Sequence, residues 1–364
     1  IYLIEECGVK PESIFIATFT EKAAKELITR ITNELSDRGI VANINEMYIG
    51  TFHSLCLRIL KEHLEFTRLR RNYRLLDAFD QQYMVFQNIH RFRNIPEVEV
   101  ALPNGGAWKQ SEAICNYVNN LSEELVTPEE LMSDTDLSIA ALGRMLKEYR
   151  DILTEGNLMD FSSIQIEAYH LLQDNVEILE ELRSKVTHIM VDEYQDTNFI
   201  QEQLVFLLAG DRKNICVVGD DDQGLYRFRG ATIRNILEFP QKFAEGECRV
   251  IPLVINYRSN SDIVDFYNEW MATTDGAKFK FRWDNFRYDK RIEPHEKTTL
   301  HSPAVVKLAG VDDTDEWHEK ILQFIKDLKA SGKLTDYNQI AFLFNSVKHP
   351  RVTALARFLE ENHI

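Results

Sequence analysis

Apolar residues in this chain come first as short β-rich runs separated by helical stripes, then as helical stripes alone, then in alternation again. Ile14–Thr18 is a continuous apolar run of the kind that makes a buried strand. From Glu21 to Leu35 the spacing of Ala24, Leu27, Ile28 and Ile31 predicts an amphipathic helix, with Thr20 placed to cap it. Tyr48–Thr51 predicts a second strand, leading into a helix that carries Leu55, Leu57, Ile59 and Leu60. Ile1 to Cys7 reads as the tail of a helix ended by Gly8. Between about Leu75 and Glu155 strand character vanishes and helical patterns with polar loops take over. It returns at His188–Val191 and Ile215–Val218.

A new unit begins near Arg249. It predicts a helix over Ser261–Met271, a strand over Ala304–Leu308, a helix around Trp317–Leu328 and a strand over Ile340–Phe344. Strands that alternate with helices imply a parallel sheet.

The two strands in the middle of the chain both run into acids. HIMVDEYQDTN (His188 to Asn198) places Asp192 and Glu193 where an apolar strand leaves its sheet. Ligands of open parallel sheets bind beyond the carboxyl ends of the strands. One carboxylate there suits a magnesium ion and the other a water to be oriented or deprotonated. For a bare DE pair a solvated acidic turn is the alternative. The second strand continues into GDDDQGLYRFRGA (Gly219 to Ala231), where Gly219 permits a sharp turn and Gln223 can both donate and accept hydrogen bonds. If Tyr226 to Arg229 is extended, Tyr226 and Phe228 face one way and Arg227 and Arg229 the other. Rings beside cations are what single-stranded nucleic acid requires. A strand with a buried aromatic face is the alternative.

These two motifs resemble motifs II and III of the UvrD/Rep-like superfamily 1 DNA helicases. ATFTEKAAKEL (Ala17 to Leu27) resembles motif Ia, GTFHSLCLRIL (Gly50 to Leu60) the next DNA-contacting motif, and NYRS (Asn256 to Ser259) motif IV. MDFSSIQIEAYHLL (Met159 to Leu172) and the stretch from Asp336 to Ile364 are also similar to the family. All five motifs stand in the family's order, which single motifs by chance do not do.

The resemblance implies an α/β fold: a RecA-like (P-loop NTPase) parallel-sheet domain over residues 1–74 and 159–248, a helical insertion over 75–158, and the N-terminal part of a second RecA-like domain over 249–364. It implies an ATP-dependent helicase or translocase that moves along single-stranded DNA from 3′ to 5′, with ATP and Mg²⁺ bound between the two domains. By residue, it implies Asp192 as the metal ligand, Glu193 as base, and Gln223 and Arg258 at the γ-phosphate. Asp220 would support the metal shell, and Tyr257 would stack on adenine. Thr18, Phe19, Thr20, Thr51, Phe52, His53, Tyr226, Phe228 and Arg229 would touch DNA, hydroxyls and helix N-termini binding phosphates without reading sequence. Core packing is the other reading of Phe19 and Phe52, and a strand-to-helix turn the other reading of NYRS.

The departures from the family's pattern are specific. No GxxxxGK[ST] phosphate loop occurs in the 364 residues, nor do motifs V and VI. The family's order implies such a loop upstream of Ile1, so residues 1–364 alone are expected to show neither DNA-stimulated ATPase nor unwinding. Gly224, Arg227 and Asn345 replace the family's usual serine, glycine and arginine. Two other functions fit: a helicase-like ATPase of a nuclease or defence complex, and a non-enzymatic single-stranded DNA-binding scaffold.

Composition changes this picture little. The chain carries 42 Lys+Arg against 58 Asp+Glu, a net −16, so DNA contact should be narrow and locally lined rather than a broad wrapping of duplex. Basic residues cluster in RLRRNYR (Arg68 to Arg74) and KFKFRWDNFRYDKR (Lys278 to Arg291), either of which also suits a solvated face. The 5 cysteines are scattered without CxxC spacing, which predicts buried reduced thiols, a cytoplasmic protein and neither zinc nor an iron–sulfur centre. No apolar run is long enough to cross a bilayer, so no membrane partner is expected. Expected partners are single-stranded DNA, single-strand/duplex junctions, and repair or nuclease proteins.

Overall fold

The computed structural model describes residues 1–224, 232–272, 287–288, 290–296, 304–307 and 314–364. They form two compact units, one from residues 1–252 together with Arg287 and Tyr288, the other from the remaining residues after 252.

The first unit is organised by a parallel sheet of β1 (Ile14–Thr18), β2 (Tyr48–Thr51), β3 (His188–Val191) and β4 (Ile215–Val217), in the order β2-β1-β3-β4. Phe15 is registered with Tyr48 on one side and Ile189 on the other, and Ile189 with Ile215. β1 is apolar from Ile14 to Ala17 because the sheet is covered on both faces, which parallel strands require. The helices joining the strands are α1 (Glu21–Asp37), α2 (Phe52–Glu62), then, beyond the helical segment, α6 (Phe161–Asp174), α7 (Val176–Lys185) and α8 (Phe199–Ala209). Phe15, Tyr48, Leu60, Leu172, Val191 and Ile200 are among the buried residues of this core. Because the strands are parallel, Thr18, Thr51, Asp192 and Gly219 all emerge along one edge. At the start of the chain, a one-turn helix (Tyr2–Glu5) ends before Gly8, whose φ of +63° suits glycine.

Helices α3 (Ala78–Gln87), α4 (Ala107–Glu123) and α5 (Leu137–Glu155) pack round a core of their own, with Val85, Phe92, Ile114, Met145 and Leu146 at its centre. A short parallel pairing of Arg74–Leu75 with Leu158–Met159 closes the segment where it leaves and rejoins the sheet domain.

The second unit contains α9 (Ser261–Ala272), α10 (Thr314–Ala330), α11 (Pro350–Glu361) and a pairing of Ile255–Asn256 with Glu293–Pro294. Its buried apolar cluster is Leu322, Ile325, Leu334, Leu355 and Leu359. Two expected strands are corrected here. Ile340–Phe344 is irregular, with Phe342, Leu343 and Phe344 exposed, and Ala304–Lys307 is irregular too, Leu308 lying outside the described residues. β-branched and aromatic sequence does not make a strand without a neighbour to complete its ladder, and among the described residues neither segment has one.

No described helix is long and apolar enough to cross a membrane. The expectation of buried thiols holds for Cys56 and Cys115, whereas Cys7 and Cys216 are exposed.

Candidate functional site

At the β3/β4 end of the sheet edge, Asp192 donates its N–H to the Ala17 carbonyl at 2.9 Å, so its side chain starts where β1 and β3 end. Glu193 follows with φ +52°, a left-handed conformation uncommon outside glycine. Its carboxylate is held from behind: Gln195 Nε2 donates to Glu193 Oε2 at 2.7 Å. Gln195 Oε1 accepts the Asp220 N–H at 3.0 Å, and Asp220 Oδ2 accepts Gln223 Nε2 at 2.8 Å. A continuous chain Glu193–Gln195–Asp220–Gln223 therefore links the two strand ends. Gly219 makes it possible, since a Cβ there would lie 2.6 Å from Gln195 Oε1 and 2.7 Å from Ile236 Cδ1.

This end resists its own charge. The Asp192 carboxyl is pushed above the ordinary aspartate value, by burial first and then by the charge of Glu193. Burial and Glu193 push Asp196 up to about 6, and its Oδ1 is buried without a partner among the described residues.

All three aspartates that follow Gly219 are tied down, Asp220 by the Asp222 N–H at 3.1 Å as well as by Gln223. Arg287 grips Asp222 with both arms, at 2.7 and 3.0 Å, and the Tyr288 N–H donates to Asp221 Oδ2 at 2.7 Å. Arg287, read from sequence as part of a basic cluster, thus serves an ion pair with a buried carboxylate. Asp220 is the aspartate that bonds Gln223. Among the described residues no three His, Cys, Asp or Glu side chains converge as a metal cage. Magnesium needs none, being held by one or two carboxylates together with phosphates and water.

The β1/β2 end is lined mostly by hydroxyls and rings and is closely packed. Thr20 caps α1, accepting from the Ala23 N–H at 3.1 Å, and remains exposed. Thr18 is buried, its hydroxyl donating to the Thr20 carbonyl at 3.2 Å. Thr51 is buried too; its Oγ accepts from the Ser54 N–H at 3.2 Å and donates to Glu21 at 3.1 Å. Both hydroxyls thus have partners inside the protein. Phe19 is half-buried.

Phe52 requires a correction: it is 5% exposed and belongs to the sheet core, so its ring is occupied by packing rather than presented to a base. His53, the next residue, is held by Gln165 at 2.7 Å and edge-on to Phe161 with ring centroids 5.6 Å apart. Burial pushes its pKa down, against the charge of Asp160.

In the second unit, Asn256 Oδ1 accepts the N–H groups of Arg258 and Ser259 at 2.9 and 2.7 Å, a side-chain turn that fixes the NYRS loop. Tyr257 is 73% exposed, its ring 4.5 Å from that of His295, and Arg258 is exposed beside it. Tyr226, Phe228 and Arg229 lie outside the described residues. Sequence reasoning missed Gln195, Gln165 and the pair Arg287–Tyr288. Gln195 stood inside the DEYQDTN string, but its role depends on reaching a second strand.

The model of the UvrD/REP helicase N-terminal domain matches residues 1–244. The chain is 32% identical to an ATP-dependent DNA helicase PcrA of Staphylococcus epidermidis, over 99% of its own length and 44% of that protein. It is 31% identical to the PcrA helicase of Staphylococcus aureus with the same coverage. The chain therefore spans less than half the length of these curated relatives.

Proposed function

Since the chain belongs to the UvrD/REP helicase family, we propose that it works as the motor of an ATP-dependent DNA helicase stepping along single-stranded DNA from 3′ to 5′. The observation that carries this reading is the hydrogen-bonded chain Glu193–Gln195–Asp220–Gln223 along the sheet edge, beside Asp192. In this reading residues 1–74 and 159–248 are a first RecA-like domain, 75–158 its helical insertion, and 249–364 part of a second.

Asp192 holds the magnesium of the nucleotide. Its oxygen donors, and a negative charge that burial and Glu193 both oppose, fit a small divalent cation. When bound, magnesium offsets charge on the β- and γ-phosphate oxygens. Glu193, held by Gln195, orients or deprotonates the attacking water. Gln223 contacts the γ-phosphate. Because its amide is tied to Asp220 at the end of β4, a change of nucleotide alters the start of the segment that continues into Tyr226, Phe228 and Arg229. Tyr257 stacks on the adenine and Arg258 meets the γ-phosphate.

Exposed Thr20, half-buried Phe19 and His53, with Tyr226, Phe228 and Arg229, contact the DNA strand. Thr18 and Thr51 shape the strand ends that present them. DNA and its single-strand/duplex junctions are the partners, with repair or nuclease proteins as further ones.

The test is Glu193→Gln in the full-length protein. Hydrolysis should fall by about 10²- to 10⁴-fold, the usual contribution of a general base, while magnesium–ATP binding survives. Asp192→Ala should instead weaken the magnesium-dependent binding. Parent-like turnover in Glu193→Gln would assign the water to another group.

A further inference from the structure

Gln165 is 1% exposed in the first turns of α6, between Ile164 and Ile166 of the sheet core, where an apolar side chain would be the ordinary occupant. Its Nε2 lies 2.7 Å from His53 Nε2, and its Oε1 is buried with no partner among the described residues. A buried amide satisfied at one end only needs a reason, and the contact it does make is with an imidazole at the start of α2. A neutral imidazole has one donor and one acceptor nitrogen. An amide N–H aimed at Nε2 requires the lone pair there, which leaves the ring proton on Nδ1. In water the opposite tautomer prevails, so this arrangement is one the protein must impose.

The surroundings are built to hold it. Phe161 stands edge-on to the ring, and the turn that carries both Phe161 and Gln165 is capped by Asp160, 3% exposed. Asp160 accepts from the Ser163 N–H at 2.7 Å, from Gln81 Nε2 at 3.1 Å, and from the Tyr149 hydroxyl. Gln81 and Tyr149 belong to α3 and α5 of the helical segment, so the His53 ring is fixed by a turn anchored in both cores of the first unit. Burial, which pushes the His53 pKa down, keeps the ring neutral.

We propose that Gln165 is a positioning residue that locks His53 in the Nδ1–H tautomer, giving the DNA path a single neutral hydrogen-bond donor of fixed orientation. This rests on the reading that His53 contacts DNA; the tautomer itself does not.

Long-range ¹⁵N–¹H correlation spectra of the protein without DNA should show His53 with a protonated Nδ1 and an unprotonated Nε2. Gln165→Met keeps length and burial but removes the donor, and should move the proton towards Nε2. Gln165→Glu can only accept in its ionised form, and should place the proton on Nε2 outright; it also covers a failure of the first variant to fold. Gln165→Met should weaken binding of oligo-dT by about 2- to 10-fold, the range of one hydrogen bond, in fluorescence anisotropy. An Nε2–H signature in the parent protein, or a parent-like signature in the Met variant, overturns the proposal. If the tautomer moves as expected but neither Gln165→Met nor His53→Ala alters DNA affinity, the lock stands and the DNA role of His53 falls. If only His53→Ala weakens binding, the positioning role falls.

Discussion

The two ends of the sheet edge in the first unit are built on opposite principles. At the β3/β4 end stand Asp192, Glu193, Asp196 and Asp220, in a setting that raises two of their pKa values and holds Glu193 at φ +52°. At the β1/β2 end stand Thr18, Thr51, Phe52 and His53, neutral or held neutral, with the first three buried. Both ends emerge from equally regular parallel strands, so the strands themselves do not make the difference. On the function proposed above, it follows from what each end does. Phosphoryl transfer depends on charges kept in place without full neutralisation, because the nucleotide and its metal complete them. Contact with a DNA backbone that is read without regard to sequence needs only a few donors and rings of fixed position, and packing supplies that.

The largest effect that tests this contrast is Phe52→Ala. As a core residue it should destabilise the protein by about 3–5 kcal/mol, seen as a lower midpoint of urea unfolding. Weaker DNA binding with unchanged stability would make Phe52 a contact residue after all, and the two ends would then be alike. A smaller effect is expected of Gly219→Ala at the acidic end. The added Cβ would press on Gln195 Oε1 and Ile236 Cδ1, at 2.6 and 2.7 Å, and overpacking of this kind costs about 1–3 kcal/mol. Unlike Phe52→Ala, it should also slow ATP hydrolysis more than the loss of stability explains, because it displaces the glutamine that links Glu193 to Asp220. Equal loss in both properties would mean that the bonded chain is scaffolding alone.

Much of this edge was legible in the sequence, for identifiable reasons. β1 and the Thr20 cap follow from local chemistry: an apolar run of strand length, then a hydroxyl before a helical stripe. The acids of β3 and β4 stand out because two strands both run into carboxylates, the first followed by QDTN and the second by a glutamine. Phe52 was also readable, since Phe52, Leu55, Cys56, Ile59 and Leu60 form one buried stripe of α2. What local pattern cannot carry is pairing across distance. Arg287 meets Asp222, and Gln165 meets His53, over 65 and 112 residues. Ile340–Phe344 shows the converse: strand composition is present but no described segment pairs with it.

The smallest expected effect concerns pH, and it separates the two ends by charge rather than by packing. Glu123, in the last turn of α4, is pushed up to about 7 by burial; a hydrogen bond from Asn198, just beyond β3, opposes this and Glu124 adds to it. Asp196, raised to about 6, lies two residues before Asn198. An acid whose pKa rises on folding keeps its proton in the native state where the unfolded chain has already released it. The native state then binds more protons, and stability falls as pH rises through that window. For Glu123 the window runs from the ordinary glutamate value of 4.5 to about 7. Below it, both states are protonated and nothing is lost; above it, the full cost of the buried charge is present. Glu123→Gln should therefore lose less stability than the parent between about pH 5 and about pH 8, measured as the shift in urea midpoint. Phe52→Ala, at the β1/β2 end, should lower the midpoint by the same amount at both pH values. If Glu123→Gln and the parent shared one pH slope, the carboxyl would be solvated in both states, and the acidic character of the β3 end would stop short of the helical segment that packs beside it.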